Sequence, residues 1–186
     1  MLENYKKHVA ERAEQNIPPL PLDADQTSEL IELLKKDHQE SDFLLNLLKE
    51  RVPAGVDQAA YVKAAFLADI TTGKASSPYI TKIDAVKILG TMLGGYNIQP
   101  LIECLKDNEL AEAAAHVLSR TLLIFDAFNE IFELSKTNEH AKKVVEEWAN
   151  ATWFTEKTDI EEQIKLTVYK VTGEINTCLL YTSDAA

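Results

Sequence analysis

Glu112 and His116 are the two residues whose types and spacing come nearest to a metal site. Side chains four positions apart on a helix share a face, and both carboxylate and imidazole are zinc ligands. The same face, however, carries Ser119 and Arg120 and points away from the apolar side marked by Ala114. We therefore expect a solvated helix face here and assign no metal ligand.

Cys104 is the candidate for nucleophilic or thiolate chemistry. It lies between Ile102 and Leu105, and a free cysteine in such surroundings behaves as a small buried hydrophobe. A nucleophilic thiol needs a neighbouring base and a lowered pKa, and the sequence indicates neither. With Cys178 as the second cysteine, the chain cannot complete a four-thiolate site or a disulfide framework.

Paired carboxylates can perform acid–base chemistry, and Asp126, Glu130 and Glu133 share one side of a helix. They lie opposite an apolar stripe, which indicates a solvent-facing side. Gly94 and Gly95 lack the G-x-G-x-x-G spacing and follow a helix, so a nucleotide loop is not expected. The sequence thus predicts no catalytic, cofactor-binding or metal-ligating residue in this chain.

Composition and charge narrow the classes of partner. The chain has 186 residues, 46% of them hydrophobic, which is enough for one ordinary core. Nineteen Lys and Arg stand against 30 Asp and Glu, for a net charge of −11. This balance disfavours nonspecific nucleic-acid binding, DNA included, and anionic membranes. No apolar stretch reaches membrane-spanning length and the start is no signal peptide, so we expect a cytoplasmic protein.

The elements that position these residues are predicted to be helices as far as about residue 154. The expected helix N-caps are Asp23 or Asp25, Ser41 or Asp42, Thr81, Asn97 and Asn138, and further helices are expected to start near Asp57 and at Asn108. The helix over residues 121–135 is the most apolar and is expected to be central to the packing. The predicted fold is all-α, a HEAT-like stack of antiparallel helix hairpins, although no repeat of fixed period is found. A globular helical bundle is the competing architecture.

The periodicity changes after residue 160. Residues 163–171 alternate between apolar and polar positions and are rich in β-branched side chains, which predicts a β-strand. A single strand cannot satisfy its own backbone hydrogen bonds. We therefore interpret it as the first piece of a following domain.

Specific strings in this sequence are shared with a known family. The resemblance covers residues 1–177, and its strings run in this order: Met1-Leu2-Glu3-Asn4-Tyr5, Arg51-Val52-Pro53, Gly55-Val56-Asp57, Leu89-Gly90-Thr91-Met92, Gly94-Gly95-Tyr96-Asn97-Ile98, Trp153-Phe154 and Lys170-Val171-Thr172-Gly173-Glu174. On these strings the chain resembles the N-terminal part of the bacterial aconitase B family, which comprises bifunctional aconitate hydratases and 2-methylisocitrate dehydratases.

The resemblance implies a division of the chain. It implies a HEAT-like helical domain over residues 1–155, a linker over 156–162 and the first strand of a truncated swivel domain over 163–177. The sequence departs abruptly from the family after Thr177, and residues 178–186 resemble translated adapter sequence. We expect this tail, including Cys178, to be non-native.

The resemblance also implies a function for the parent enzyme, which interconverts citrate and isocitrate in the tricarboxylic acid cycle. Its [4Fe–4S] cluster is held by three cysteines in domains beyond this chain, and neither Cys104 nor Cys178 matches one. The fragment is then expected to be non-catalytic and to contact the remaining aconitase domains, form a homodimer and shape access to the active site. Binding of messenger RNA in the apo state is the alternative, as is an unrelated helical scaffold.

Overall fold

The structure is a computed structural model that describes residues 1–121, 125–156, 163 and 165–167, without the side chains of Phe125, Asp126, Trp153 and Phe154. The described residues form an all-α fold, as predicted. In chain order the elements are α1 (Leu2–Glu14), α2 (Ala24–Leu34), α3 (Ser41–Asn46) with a π-helical turn (Leu47–Arg51), α4 (Gln58–Thr72), α5 (Lys82–Leu89), α6 (Ile98–Cys104), α7 (Ala111–Leu118), α8 (Phe125–Leu134), α9 (Glu139–Ala149) and α10 (Thr152–Thr155).

Three of the predicted caps are confirmed. The Asp23 and Thr81 side chains each accept a hydrogen bond from the backbone three residues on, and both belong to complete capping boxes. Asn138 Oδ1 accepts from the Ala141 amide at the start of α9. Helix α4 ends as predicted at Gly73, whose φ of 77° is left-handed and therefore suits glycine.

Some other predicted starts were wrong. Neither Ser41 nor Asp42 caps α3, because the N-cap residue is Glu40, whose side chain makes no capping hydrogen bond within the described residues. Helix α7 begins after Leu110 and not at Asn108, because Asp107 Oδ1 accepts the Glu109 amide and holds the preceding turn. The start of α7 is thus set by a contact that the capping pattern does not contain. The start of α4 is as predicted, because Asp57 is its N-cap residue, although within the described residues its side chain makes no capping hydrogen bond.

The helices stack in the order in which they occur. Helix α4 packs between α2 and α5, α5 packs on α7, and α7 packs on α9, while α6 and α8 lie alongside α7 and α9. Such packing between near neighbours in sequence is typical of a stack of helix hairpins. A single apolar cluster runs through it, from Leu30 in α2 and Leu67 in α4 to Leu118 in α7 and Val144 in α9, all with no exposed surface.

Connections between helices are fixed by hydrogen bonds to distant backbone. The proline-rich segment after α1 is held because Tyr5 Oη donates to the Leu20 carbonyl at 2.8 Å and Arg12 Nε donates to the Pro18 carbonyl at 2.6 Å. Near the other end, Trp148 Nε1 donates to the carbonyl of Leu118 at 3.0 Å. These bonds hold the connecting segment after α1 and join α9 to the end of α7.

The prediction that the helix over 121–135 is central was wrong for two of its large aromatic side chains, Phe128 and Phe132. In α8, Ile131 is fully buried, but Phe128 is 44% exposed and Phe132 is 45% exposed. Residues 122–124 and the Phe125 side chain lie outside the described residues. The predicted strand over 163–177 and the tail over 178–186 also lie outside them, apart from Gln163 and residues 165–167, which have no regular structure.

Candidate interaction surface

Two loops that are far apart in sequence meet beside the N-terminus of α4. The first follows the π-helical turn and the second follows α5. The Leu93 amide donates to the Ala54 carbonyl at 2.7 Å, and Tyr96 Oη donates to the Val56 carbonyl at 3.1 Å. The two loops are therefore joined at both ends of their contact.

Glycine is required where these loops touch. A Cβ atom on Gly94 would lie 2.0 Å from the carbonyl oxygen of Gly55, a backbone atom that cannot move aside easily. Gly95 has a φ of 92°, which side chains rarely adopt. The Gly94-Gly95 pair was not expected to form a nucleotide-binding loop. In the structure it allows the backbones of the two loops to pack closely.

The joined loops present apolar side chains to solvent. Leu93 is 86% exposed, Val56 is 74% exposed and Tyr61, on the first turn of α4, is 52% exposed. The rings of Tyr61 and Tyr96 meet edge to face at 5.4 Å. We name these four residues the Val56–Leu93 surface.

The sequence around this surface is almost uncharged. Residues 88–102 contain no Asp, Glu, Lys or Arg, and residues 52–62 contain only Asp57, although 26% of the chain is charged. Grouped exposed apolar side chains of this kind are typical of sites of protein contact.

The residues proposed for chemistry lie elsewhere. Glu112 and His116 are both exposed, as predicted, and His116 Nδ1 lies 2.9 Å from Nη1 of Arg120. Its neighbour is thus a cation on the next turn of the same helix. Within the described ranges, no group of three His, Cys, Asp or Glu side chains is placed to hold a metal ion.

Cys104 is buried, as predicted, with 4% of its surface exposed. Burial raises the pKa of its thiol, an effect that a hydrogen bond with Thr71 only partly offsets. A thiol of this kind is a poor nucleophile, because the thiolate is the reactive form. Cys178 lies outside the described residues.

The carboxylates of α8 face solvent, as predicted for Glu130 and Glu133. Glu130 accepts a hydrogen bond from Gln99 at 3.3 Å, and Glu133 pairs with Lys136 at 2.6 Å. The Asp126 side chain lies outside the described residues. The assignment of no catalytic, cofactor-binding or metal residue stays a prediction.

A groove of about 730 Å³ between α1 and α2 is lined by several carboxylates. Glu29 pairs with the terminal amine at 3.1 Å, Glu40 pairs with Lys6 at 2.6 Å, and Glu32 pairs with Lys35 at 2.6 Å. The pairing with Lys35 lowers the pKa of Glu32. The groove therefore offers little unpaired charge to a ligand.

Sequence reasoning missed Lys63, whose side chain is fully buried in α4. Among the described residues its Nζ finds no hydrogen-bond partner, and burial lowers the pKa of the amine to about 8, despite the opposing effect of nearby Glu50. The signal was present in the spacing, because Lys63 falls on the same helical stripe as Ala60 and Leu67.

Fold and surface together define an all-α domain with one continuous core and an exposed apolar junction between two loops. In the part of the chain that the structure describes, no helix is long and apolar enough to cross a membrane. Residues 4–154 match the family described as the aconitate B N-terminal domain. The chain belongs to this family.

Curated relatives agree with this assignment. The chain is 55% identical over 179 residues to aconitate hydratase B of Escherichia coli, and 54% identical over 180 residues to aconitate hydratase B of Synechocystis. Aconitate hydratase B of Helicobacter pylori is 47% identical over 178 residues. Each match covers 95% of this chain and 21% of the relative, so the chain spans about a fifth of their length.

Proposed function

We propose that this chain is the N-terminal, non-catalytic domain of a cytoplasmic aconitate hydratase that interconverts citrate and isocitrate through cis-aconitate. The observation that carries the proposal is the identity of about half of all positions to proteins named aconitate hydratase B, over 95% of the chain. The family match, with its 151-residue span from 4 to 154, argues against an unrelated helical scaffold.

The residues present do not fit the [4Fe–4S] cluster of such an enzyme. A cluster with three cysteine ligands needs three thiolates, and the sequence has two cysteines. Of these, Cys104 is buried and its pKa is raised. In this proposal the cluster and the catalytic groups belong to the remainder of the parent enzyme, outside this chain.

The role of the domain itself is then contact with protein, which includes shaping access to the active site. The Val56–Leu93 surface supports this role because it is apolar, exposed and held by hydrogen bonds between loops. The alternatives are a homodimer and messenger-RNA binding. Against RNA, many described lysines are paired with carboxylates of the chain: Lys6 with Glu3 and Glu40, Lys7 with Glu11, Lys35 with Glu32, Lys106 with Glu103, Lys136 with Glu133 and Lys142 with Glu146.

A domain replacement tests the proposal. The region of E. coli aconitate hydratase B that aligns with residues 1–155 is replaced by those residues, and hydration of cis-aconitate is measured beside the unmodified enzyme. We expect the chimera to retain activity within about tenfold. The 186-residue chain alone should neither turn over cis-aconitate nor take up a cluster on anaerobic reconstitution.

Two results would contradict the proposal. The first is an inactive chimera that folds and carries a full cluster, since this domain would then not replace its counterpart. The second is a stoichiometric cluster with turnover in the isolated chain. RNA binding by the isolated chain with a steep salt dependence would favour the nucleic-acid alternative.

A further inference from the structure

We propose that His8 is a proton-sensitive latch for the segment between α1 and α2, and that protonation of its imidazole at Nε2 releases this segment from α1. The segment comprises residues 17–21 and is called the strap below. In the structure, Nε2 of His8 accepts a hydrogen bond from the Leu20 amide at 3.0 Å. An imidazole nitrogen accepts a hydrogen bond only while it carries no proton. The inference concerns the fold of this domain and does not depend on the proposed function.

The composition of the strap makes the bond to His8 important. Its sequence is Ile-Pro-Pro-Leu-Pro, and proline has no N–H, so Ile17 and Leu20 carry its backbone donors. The Ile17 amide donates to the Arg12 carbonyl and belongs to the turn that ends α1. The Leu20 amide is therefore the donor by which the rest of the strap can bind α1, and its acceptor is the imidazole of His8.

The other side chains that hold the strap are donors that keep their protons across neutral and mildly acidic pH. They bond to three successive carbonyls of the strap: Arg12 Nε to Pro18 at 2.6 Å, Arg51 Nη2 to Pro19, and Tyr5 Oη to Leu20 at 2.8 Å. Guanidinium and phenol groups lose their protons only well above neutral pH, whereas imidazole titrates between pH 5 and 8. The bond to His8 is thus the one of these four that acidification breaks.

The titratable and charged groups on α1 beside His8 are a phenol, a carboxylate and two cations. The Tyr5 ring lies with its centroid 5.9 Å from that of the His8 ring. Glu11 and Arg12 follow about one turn later, and Glu11 pairs with Lys7 at 3.6 Å. His8 is half-buried, so protons from solvent reach its ring.

The remaining charge near His8 comes from the π-helical turn, because residues 16–22 carry none. Arg51 Nε donates to Tyr5 Oη at 3.2 Å, beside the strap. A protonated His8 would point an N–H at the Leu20 N–H and would add a cation to the side of the strap that Arg51 already occupies. Both effects oppose the bound strap.

Release of the strap and uptake of a proton are therefore linked. The bound strap needs Nε2 without a proton, and the released strap leaves this nitrogen free to take one. The state that binds more protons is favoured as pH falls, so acidification favours release. The release is local, because the next residue, Leu22, is buried and its amide donates to the Arg51 carbonyl at 2.8 Å. Helix α2 and the stack behind it stay in place.

The test is hydrogen exchange of the Leu20 amide in the 186-residue chain. NMR gives it as a protection factor, from which the intrinsic pH dependence of exchange has been divided out. We expect a factor about tenfold lower at pH 5.5 than at pH 7.5, since one hydrogen bond is lost and two donors are left facing each other. In His8→Gln the factor should be equal at both pH values, because the amide oxygen of glutamine accepts at either. The Leu93 amide, which donates to the Ala54 carbonyl at 2.7 Å, is the internal control and should keep its protection.

Several results would overturn the proposal. Protection of the Leu20 amide that does not change with pH in the wild type would show that His8 does not control the strap. The same fall in His8→Gln would assign the effect to another group, and an equal fall at Leu93 would mean that acid loosens the whole domain. If His8→Gln does not fold, the ¹⁵N shifts of the His8 ring in the wild type decide. Nε2 should carry no proton at pH 7.5, and a proton on Nε2 at that pH would refute the latch.

Discussion

Helices α4 and α8 differ in how deeply their side chains are buried, and the difference is the opposite of what their composition suggests. Helix α8 carries larger apolar side chains, yet Phe128 and Phe132 are each nearly half exposed. Helix α4 is rich in alanine, and its buried residues cover most of its circumference: Ala59, Ala60, Lys63, Ala64, Phe66, Leu67, Ile70 and Thr71. The smaller side chains thus belong to the more deeply buried helix.

The difference follows from the position of each helix in the stack. Helix α4 has α2 on one side and α5 on the other, so small residues are needed for close approach on both sides. Helix α8 packs mainly on α9, with a smaller contact to α6, and uses aromatic rings to cover that flank. Centrality in a helical stack is therefore set by the number of neighbouring helices and not by apolar volume.

The largest expected effect is at the centre of α4. Leu67 has no exposed surface, and Leu67→Ala should lower the free energy of unfolding by about 2–5 kcal/mol, because a cavity adds to the lost burial. Urea denaturation of the 186-residue chain measures this. Leu93→Ala makes the same change at an 86% exposed position and should cost less than about 0.5 kcal/mol. A loss below about 1 kcal/mol for Leu67→Ala would contradict the central placement of α4.

The buried amine of Lys63 predicts a pH dependence. Its pKa is lowered to about 8 in the folded chain from an ordinary value of 10.5. Between these pH values the unfolded chain binds the proton more tightly, so the stability of the wild type should rise with pH across this window. Relative to Lys63→Met, the rise should approach about 3 kcal/mol, because each pKa unit corresponds to about 1.4 kcal/mol.

Denaturation curves between pH 7 and 10.5 test this for wild type and Lys63→Met. At pH 7 the variant should be the more stable protein, since it places no charge in the core. Lys74→Met, at an exposed position just after α4, should run parallel to the wild type. Parallel curves for Lys63→Met as well would show that the Lys63 amine reaches solvent.

The features that sequence predicted well are those encoded within one turn of helix. Thr81 and Asp23 cap their helices through residues three positions on, and Gly73 ends α4 through its own φ. Asn97 was equally plausible as a cap, but its side chain is buried and Nδ2 donates to the carbonyls of Leu89 and Met92. These hydrogen bonds of Asn97 form only because the preceding loop folds back onto the end of α5. A local sequence pattern does not predict that fold.

The candidate surface was beyond sequence reasoning for the same reason. In the sequence, Val56 and Leu93 are isolated apolar residues near glycines. Their loops are joined by tertiary contacts, among them the hydrogen bond from the Leu93 amide to the Ala54 carbonyl. The glycines gave a partial signal, because Gly55 and Gly94-Gly95 mark loops in which backbone approaches closely. The absence of charged residues from 88 to 102 is a second feature of the sequence that indicates an apolar surface here.

An intermediate effect is expected where α9 is anchored to α7. Trp148 Nε1 donates to the Leu118 carbonyl at 3.0 Å, and its ring stacks on Phe128 at 5.8 Å. Trp148→Phe removes the donor while keeping an aromatic ring, and should cost about 1 kcal/mol. Circular dichroism during urea denaturation measures this without relying on tryptophan fluorescence. No measurable change would mean that water satisfies the carbonyl equally well.

The smallest effect is expected on the outer side of α8. Phe132 is 45% exposed, and the Nζ of Lys136 lies 5.5 Å from the centroid of its ring. Phe132→Ala loses half-buried apolar surface and a solvent-exposed cation–π contact, and should cost less than about 1 kcal/mol, against about 3–5 kcal/mol for a phenylalanine buried in a core. In a double-mutant cycle with Lys136→Met, the coupling should be a few tenths of a kcal/mol, since salt and water screen the exposed amine. A cost above about 3 kcal/mol would make α8 as central as α4. Packing in this stack would then depend on apolar volume after all, and the ranking of the two helices would reverse.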